Sequence, residues 1–140
     1  MKKLLLILAL ATSVIACKQK ETQPEGPSPM EQVMAVHDEL MPKMSTIGGL
    51  ISKLEASKDS TQADSVKLKV IHDLKGANNQ MMTWMMDFGN AFETDEVMDG
   101  KALSEEKIKT LEGFQKSVNE LKVQMDSAIE AGEKVLELEQ

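Results

Sequence analysis

Apolar residues recur every three or four positions along three long stretches of this chain, and polar breaks mark where each stretch stops. The first stripe runs Met30, Val33, His37, Leu40, Met44, Ile47, Ile51, Leu54, a heptad-like alternation with one histidine in it. Ahead of it, Ser28-Pro29-Met30-Glu31 places serine, proline and glutamate as a capping box requires. The spacing predicts a helix over 29–56, with Pro42 removing one hydrogen bond to the Asp38 carbonyl and bending the axis. The run SKDST (57–61) ends it. A second helix is predicted over 61–88, with Ala63, Val66, Val70, Leu74, Ala77, Met81, Trp84 and Phe88 on its stripe. Gln80, Thr83, Asp87 and Asn90 form its narrow polar face, and the Gly/Asp/Glu-rich residues 89–103 read as a connection. Ser104 caps a third helix over 104–139, whose first turn carries Glu105 and Glu106 at the positive end of the helix dipole. Its stripe is Ile108, Leu111, Phe114, Val118, Leu121, Met125, Ala128, Gly132 and Val135.

Three long amphipathic helices with no strand pattern predict an all-α fold, an antiparallel up-down-up three-helix bundle over 29–140 with coiled-coil-like packing. With the first turn near residue 59, equal rise along both helices opposes positions whose numbers sum to roughly 118. His37 then faces Met81, Met34 faces Trp84 and Met30 faces Phe88, so two methionine clusters remote in sequence meet in space.

The first residues follow a different logic. MKKLLLILALATSVIAC opens with Lys2 and Lys3, continues through a short apolar run and ends in small residues before a cysteine. Too short to span a bilayer comfortably, it reads as a signal peptide over 1–16. Its end, Val14-Ile15-Ala16-Cys17, resembles the lipobox of bacterial lipoproteins. That resemblance implies cleavage before Cys17 and lipid on its sulfur. The competing reading is a secreted protein with an unmodified cysteine. Each buried lipid methylene adds about 0.8 kcal/mol of membrane affinity, so several chains anchor the domain without a transmembrane helix. Lys18 follows the cysteine, where inner-membrane retention in enterobacteria uses aspartate; the resemblance therefore implies an outer-membrane address, periplasmic or surface-facing. Residues 17–28 would be the lipidated cysteine and a polar, Pro/Gly/Gln-rich tether.

Composition narrows the function classes. The full chain has formal charge −7, and loss of Lys2 and Lys3 on maturation takes it to −9. All 16 basic residues are lysine. An acidic chain without arginine is a poor partner for nucleic acid. A single cysteine excludes an internal disulfide. There is no tyrosine, no G-x-S-x-G, no phosphate-cradling glycine loop and no HExxH, the run at 37–41 being HDELM. That HDEL is internal and so is no retention signal. His72, off the stripe, reads as solvated. No enzyme is expected. DEVMDGKALSEE (95–106) matches part of an EF-hand loop, but Val97 and Leu103 stand where oxygen ligands belong, and a turn at Asp99-Gly100 before a helix cap explains the same letters.

The remaining chemistry lies in QMMTWMMDF (80–88) and in Met34, His37 and Met41. Three readings stand. Methionine is unbranched and packs well against aromatic rings, so these residues can be core. Met82, Trp84 and Met86 can form an exposed margin for a protein partner. Met34, His37, Met41, Met81 and Met85 can form a thioether and imidazole shell for Cu(I) or Ag(I), with Trp84 beside the cation. No other cofactor is indicated.

VMAVHDELMPKM (33–44) and MMTWMMDF (81–88), behind a lipobox, resemble small helical lipoproteins of Bacteroidota, some of them labelled "viral A-type inclusion protein". The resemblance implies an envelope address and a helical architecture, and carries no activity. The expected protein is a non-enzymatic, lipid-anchored envelope protein acting as a structural or protein-interaction module, with soft-metal binding as the alternative. Cys17→Ser is expected to abolish incorporation of labelled palmitate and to leave the signal uncut. Palmitate label retained in the variant would refute the lipobox.

Overall fold

The computed structural model describes residues 26–57 and 63–138. The chain forms α1 (Pro29–Ala56), α2 (Ala63–Ala91), α3 (Thr94–Met98) and α4 (Glu105–Leu138), with no strand among the described residues. The signal peptide, Cys17, most of the tether and the expected start of the second helix at 61 lie outside them.

The start of α1 follows its letters. Ser28 Oγ accepts from the Glu31 amide at 3.2 Å, and Glu31 Oε2 accepts from the Ser28 amide at 2.6 Å. The Ser28 amide foremost, and then the Ser28 hydroxyl, hold the Glu31 carboxyl below its usual range. α1 passes through Pro42 without interruption. At its far end, buried Lys67 of α2 donates to the Ser57 carbonyl at 3.0 Å and to Ser57 Oγ at 2.9 Å, placing a cation at the negative end of the helix dipole.

Two boundaries differ from expectation. α2 runs to Ala91, three residues beyond Phe88, despite Gly89 and Asn90. The next residue, Phe92, is buried, and its amide bonds the Phe88 carbonyl at 3.2 Å, so packing overrides weak helix propensity. The stretch 89–103 also contains α3. Its first turn is stabilised by Glu96, whose buried carboxylate accepts from the Glu93 amide at 2.8 Å and from Lys107 of α4 at 2.5 Å. Lys107 foremost, and then the Glu93 amide, hold that carboxyl below its ordinary value. The chain leaves α3 through Gly100 at φ +68°, a conformation that favours glycine. Ser104 Oγ then accepts from the Lys107 amide at 3.2 Å, capping α4. The EF-hand-like letters thus spell a helical turn, a glycine corner and a cap.

Cross-helix pairs settle the topology. Gln32–Gln115, Glu39–Lys122 and Lys43–Asp126 are each separated by 83 residues, a constant offset that only parallel helices give. Glu55–Lys75 and His37–Trp84 join α1 to an antiparallel α2, and Trp84–Ser117 joins α2 to an antiparallel α4. The bundle is up-down-up, as expected. Across the α1–α2 seam the His37 ring lies against Trp84, one turn beyond the Met81 that equal rise sets opposite it. Side chains lean toward their own helix N-terminus, so tips that meet between antiparallel helices belong to residues further along both chains.

A column of Val33, Leu40, Ile47, Leu54, Leu74, Met81, Val118 and Met125 is fully buried. Leu50, Ile71 and Phe92 join the core without having been on the expected stripes, because each helix faces two neighbours and buries a wider arc than one stripe. Val66 and Ile108, expected inside, are 57% and 46% exposed, each near the start of its helix. Among the described residues no helix is long and apolar enough to cross a membrane.

Gly132 of α4 is buried against the other two helices. A Cβ there would meet Leu50 Cδ1 and Leu74 Cδ1 at 3.3 Å each. Gly132→Val forces two further methyl groups into that contact and is expected to lower unfolding free energy by about 1–3 kcal/mol in chemical denaturation. An unchanged midpoint would mean that α4 does not approach α1 and α2 this closely.

Candidate functional site

The candidate residues gather at the half of the bundle where α1 begins and α2 ends. Trp84 is at their centre. Its ring stacks on Phe88 at 4.9 Å between centroids and meets Phe114 edge-on at 5.6 Å, and His37 stacks on its outer side at 5.9 Å. Phe92 closes the aromatic group against Phe88 and Phe114. The indole N–H donates to Ser117 Oγ at 3.0 Å, and that hydroxyl donates in turn to the Phe114 carbonyl at 3.1 Å. A buried indole needs such a partner, and α4 supplies it.

This geometry corrects one expected role. Trp84, placed by the sequence among partner-contact residues, is only 6% exposed and belongs to the core. Met82 and Met86 do stand on the surface, 54% and 62% exposed. The five candidate metal ligands are divided in depth: Met81 is sealed in the core, Met34, His37 and Met85 are half-buried, and Met41 is exposed. His37 Nδ1 lies 3.0 Å from its neighbour's carboxylate, Asp38 Oδ1, and its face is on Trp84. The accessible soft ligands are therefore His37, Met34, Met41 and Met85, without Met81. Among the described residues no three His, Cys, Asp or Glu side chains converge as a metal-binding group. His72 is fully solvated in character, its side chain 87% exposed.

The two seams of α1 contrast in chemistry. Toward α4, Glu39 pairs with Lys122 and Lys43 pairs with Asp126 at 2.5 Å. Lys122 is the main cause of the lowered Glu39 carboxyl, and Asp126 of the raised Lys43 ammonium. Toward α2, the outer margin carries sulfur. Met34 and Met41 are seven residues apart on the flank of α1 beyond His37, away from Glu39 and Lys43. Lys75 of α2 reaches Glu55 of α1 at 2.6 Å, and Met82, two turns further along the same ridge, keeps to that margin. Asn78 Nδ2 is 3.8 Å from Met82 Sδ, and Met85 and Met86 extend the strip. The result is a methionine-bordered seam over a sealed aromatic core.

The fold and this seam define an all-α helical bundle with a soft apolar margin on one face. No known protein family, characterised protein or solved structure matches the chain.

Sequence spacing missed Phe92 and Ser117. Phe92 followed Gly89-Asn90 and so looked like loop, and no periodicity marks a serine as the partner of a tryptophan 33 residues away. Ser117→Ala leaves the buried Trp84 N–H without its acceptor and is expected to cost about 1–2 kcal/mol of stability, with the helical content unchanged. Wild-type stability in the variant would show the bond to be dispensable.

Proposed function

We propose that this chain is a non-enzymatic, lipid-anchored envelope protein whose α1–α2 margin engages a protein partner. The observation that carries the reading is the exposure of Met41, Met82 and Met86, at 41%, 54% and 62%, beside half-buried Met34 and Met85 on one seam. Flexible thioether side chains adapt to a partner's apolar surface with little shape demand. The core beneath does not need these three side chains, since Met81, Trp84 and Phe88 already close it. Membrane attachment through Cys17 and an outer-membrane address are supported by the lipobox letters and by Lys18. An absence of recognisable catalytic groupings in the sequence supports a binding rather than a chemical role.

Burying a methionine side chain contributes roughly 1.5–3 kcal/mol, so replacing two at an interface weakens it by at least about tenfold. The wild-type protein is expected to form a cross-linked species with its partner in native membranes, and the double variant Met82→Lys, Met86→Lys to keep its helical circular dichroism and lose that species. The same cross-linked species at the same yield in the variant would sink the reading.

A further inference from the structure

At the end of the bundle where α1 and α4 begin, a cavity of about 630 Å³ opens between these helices and α3. Its apolar walls are Met30, Val97, Met98, Leu103, Ile108 and Leu111. Two of them, Met98 and Ile108, are 74% and 46% exposed, although they face a concave apolar space. The volume lies within the range of about 300–1,000 Å³ typical of small-molecule sites. A methylene takes up roughly the volume of a water, about 30 Å³, so about sixteen carbons fill most of the space and two such chains do not fit.

Both signs of charge also line the cavity. Lys101, which pairs with Asp95 at 2.8 Å, and the carboxylates of Glu31, Glu112 and Glu96, the last paired with Lys107, are all among its walls. An amphiphile with a single negative head meets those three carboxylates, whereas a zwitterionic head offers its ammonium to them and its phosphate to Lys101. Position supplies the source. Gly26 and Ser28 belong to the cavity wall, so the chain coming from Cys17 reaches the bundle there. The nine residues from Cys17 to Gly26 extend to about 30 Å at most, at roughly 3.3–3.6 Å each. A bilayer holding lipid on Cys17 is therefore within reach of this end of the bundle.

We propose that this cavity takes the acyl chain of a single-chain zwitterionic membrane phospholipid. The proposal rests on the lipid-anchor reading for its source of ligand, and its test does not. The soluble chain from Lys18 onward contains all four helices and every residue of the described core. In equilibrium dialysis below the micelle concentration it is expected to bind one radiolabelled palmitoyl-lysophosphatidylethanolamine, and palmitate more weakly. Ile108→Glu and Met98→Glu, at exposed positions that leave the core intact, are expected to weaken binding by at least about tenfold. Met86→Glu, on the other seam, is expected to leave it unchanged. The proposal is overturned by an absence of saturable binding, by undiminished binding in both cavity variants, or by equal loss in Met86→Glu. Tighter binding of palmitate would overturn the zwitterionic head group. Exclusion of the lysolipid from the lipidated full chain, in a detergent in which the chain from Lys18 onward still binds it, would show that the chain's own lipid fills the cavity, and would overturn a membrane lipid as the occupant.

Discussion

The continuous buried column from Val33 through Leu54 on α1, met by Leu74 and Met81 on α2 and by Val118 and Met125 on α4, is the constraint on which the remaining features depend. Three amphipathic helices have only one way to hide such stripes from water together, which is to surround a common axis. Once they do, each helix gains two seams and one solvent face. The character of those seams then decides what the surface can do. A side chain at the centre of an arc becomes core, and one at its edge becomes a margin, whatever its chemistry.

That division explains why so many methionines behave so differently. Met81 and Met125 sit at the centre of their arcs and are sealed, whereas Met82 and Met86, one position on or one turn and a residue on, rotate out to the exposed margin of the seam. The ion pairs of Glu39 and Lys43 close the α1–α4 seam with charge. The α1–α2 seam at the same level is closed with sulfur instead. Polar closure keeps one flank solvated, and apolar closure leaves the other suited to contact. A sealed aromatic group beneath, fixed by the Trp84 bond to Ser117, gives that contact surface a rigid floor.

The two ends of the bundle differ as well. At the end where α1 stops, buried Lys67 closes the helix on Ser57. At the opposite end, the Glu96–Lys107 pair ties α3 to α4, and a cavity with largely apolar walls lies between α3 and the starts of α1 and α4. Gly26 and Ser28 belong to that open end, and the methionine seam runs along the flank. Cavity and seam thus fall on separate parts of one small domain.

Much of this was legible in the letters. Heptad-like spacing, the Ser28 capping box and Ser104 determined three helices and their order, because local periodicity and caps act within a few residues. The lipobox letters and the arginine-free acidic composition belong to the sequence alone. Tertiary structure decided the rest. The meeting of His37 with Trp84 came from the lean of side chains between antiparallel helices, a displacement that equal-rise counting omits. Phe92 became core, and Ile108 surface, because burial depends on whether a neighbouring helix is present at that height. Trp84 moved from candidate contact to core for the same reason: a stripe fixes which residues share a face, and only the position of α4 determines which of them water still reaches.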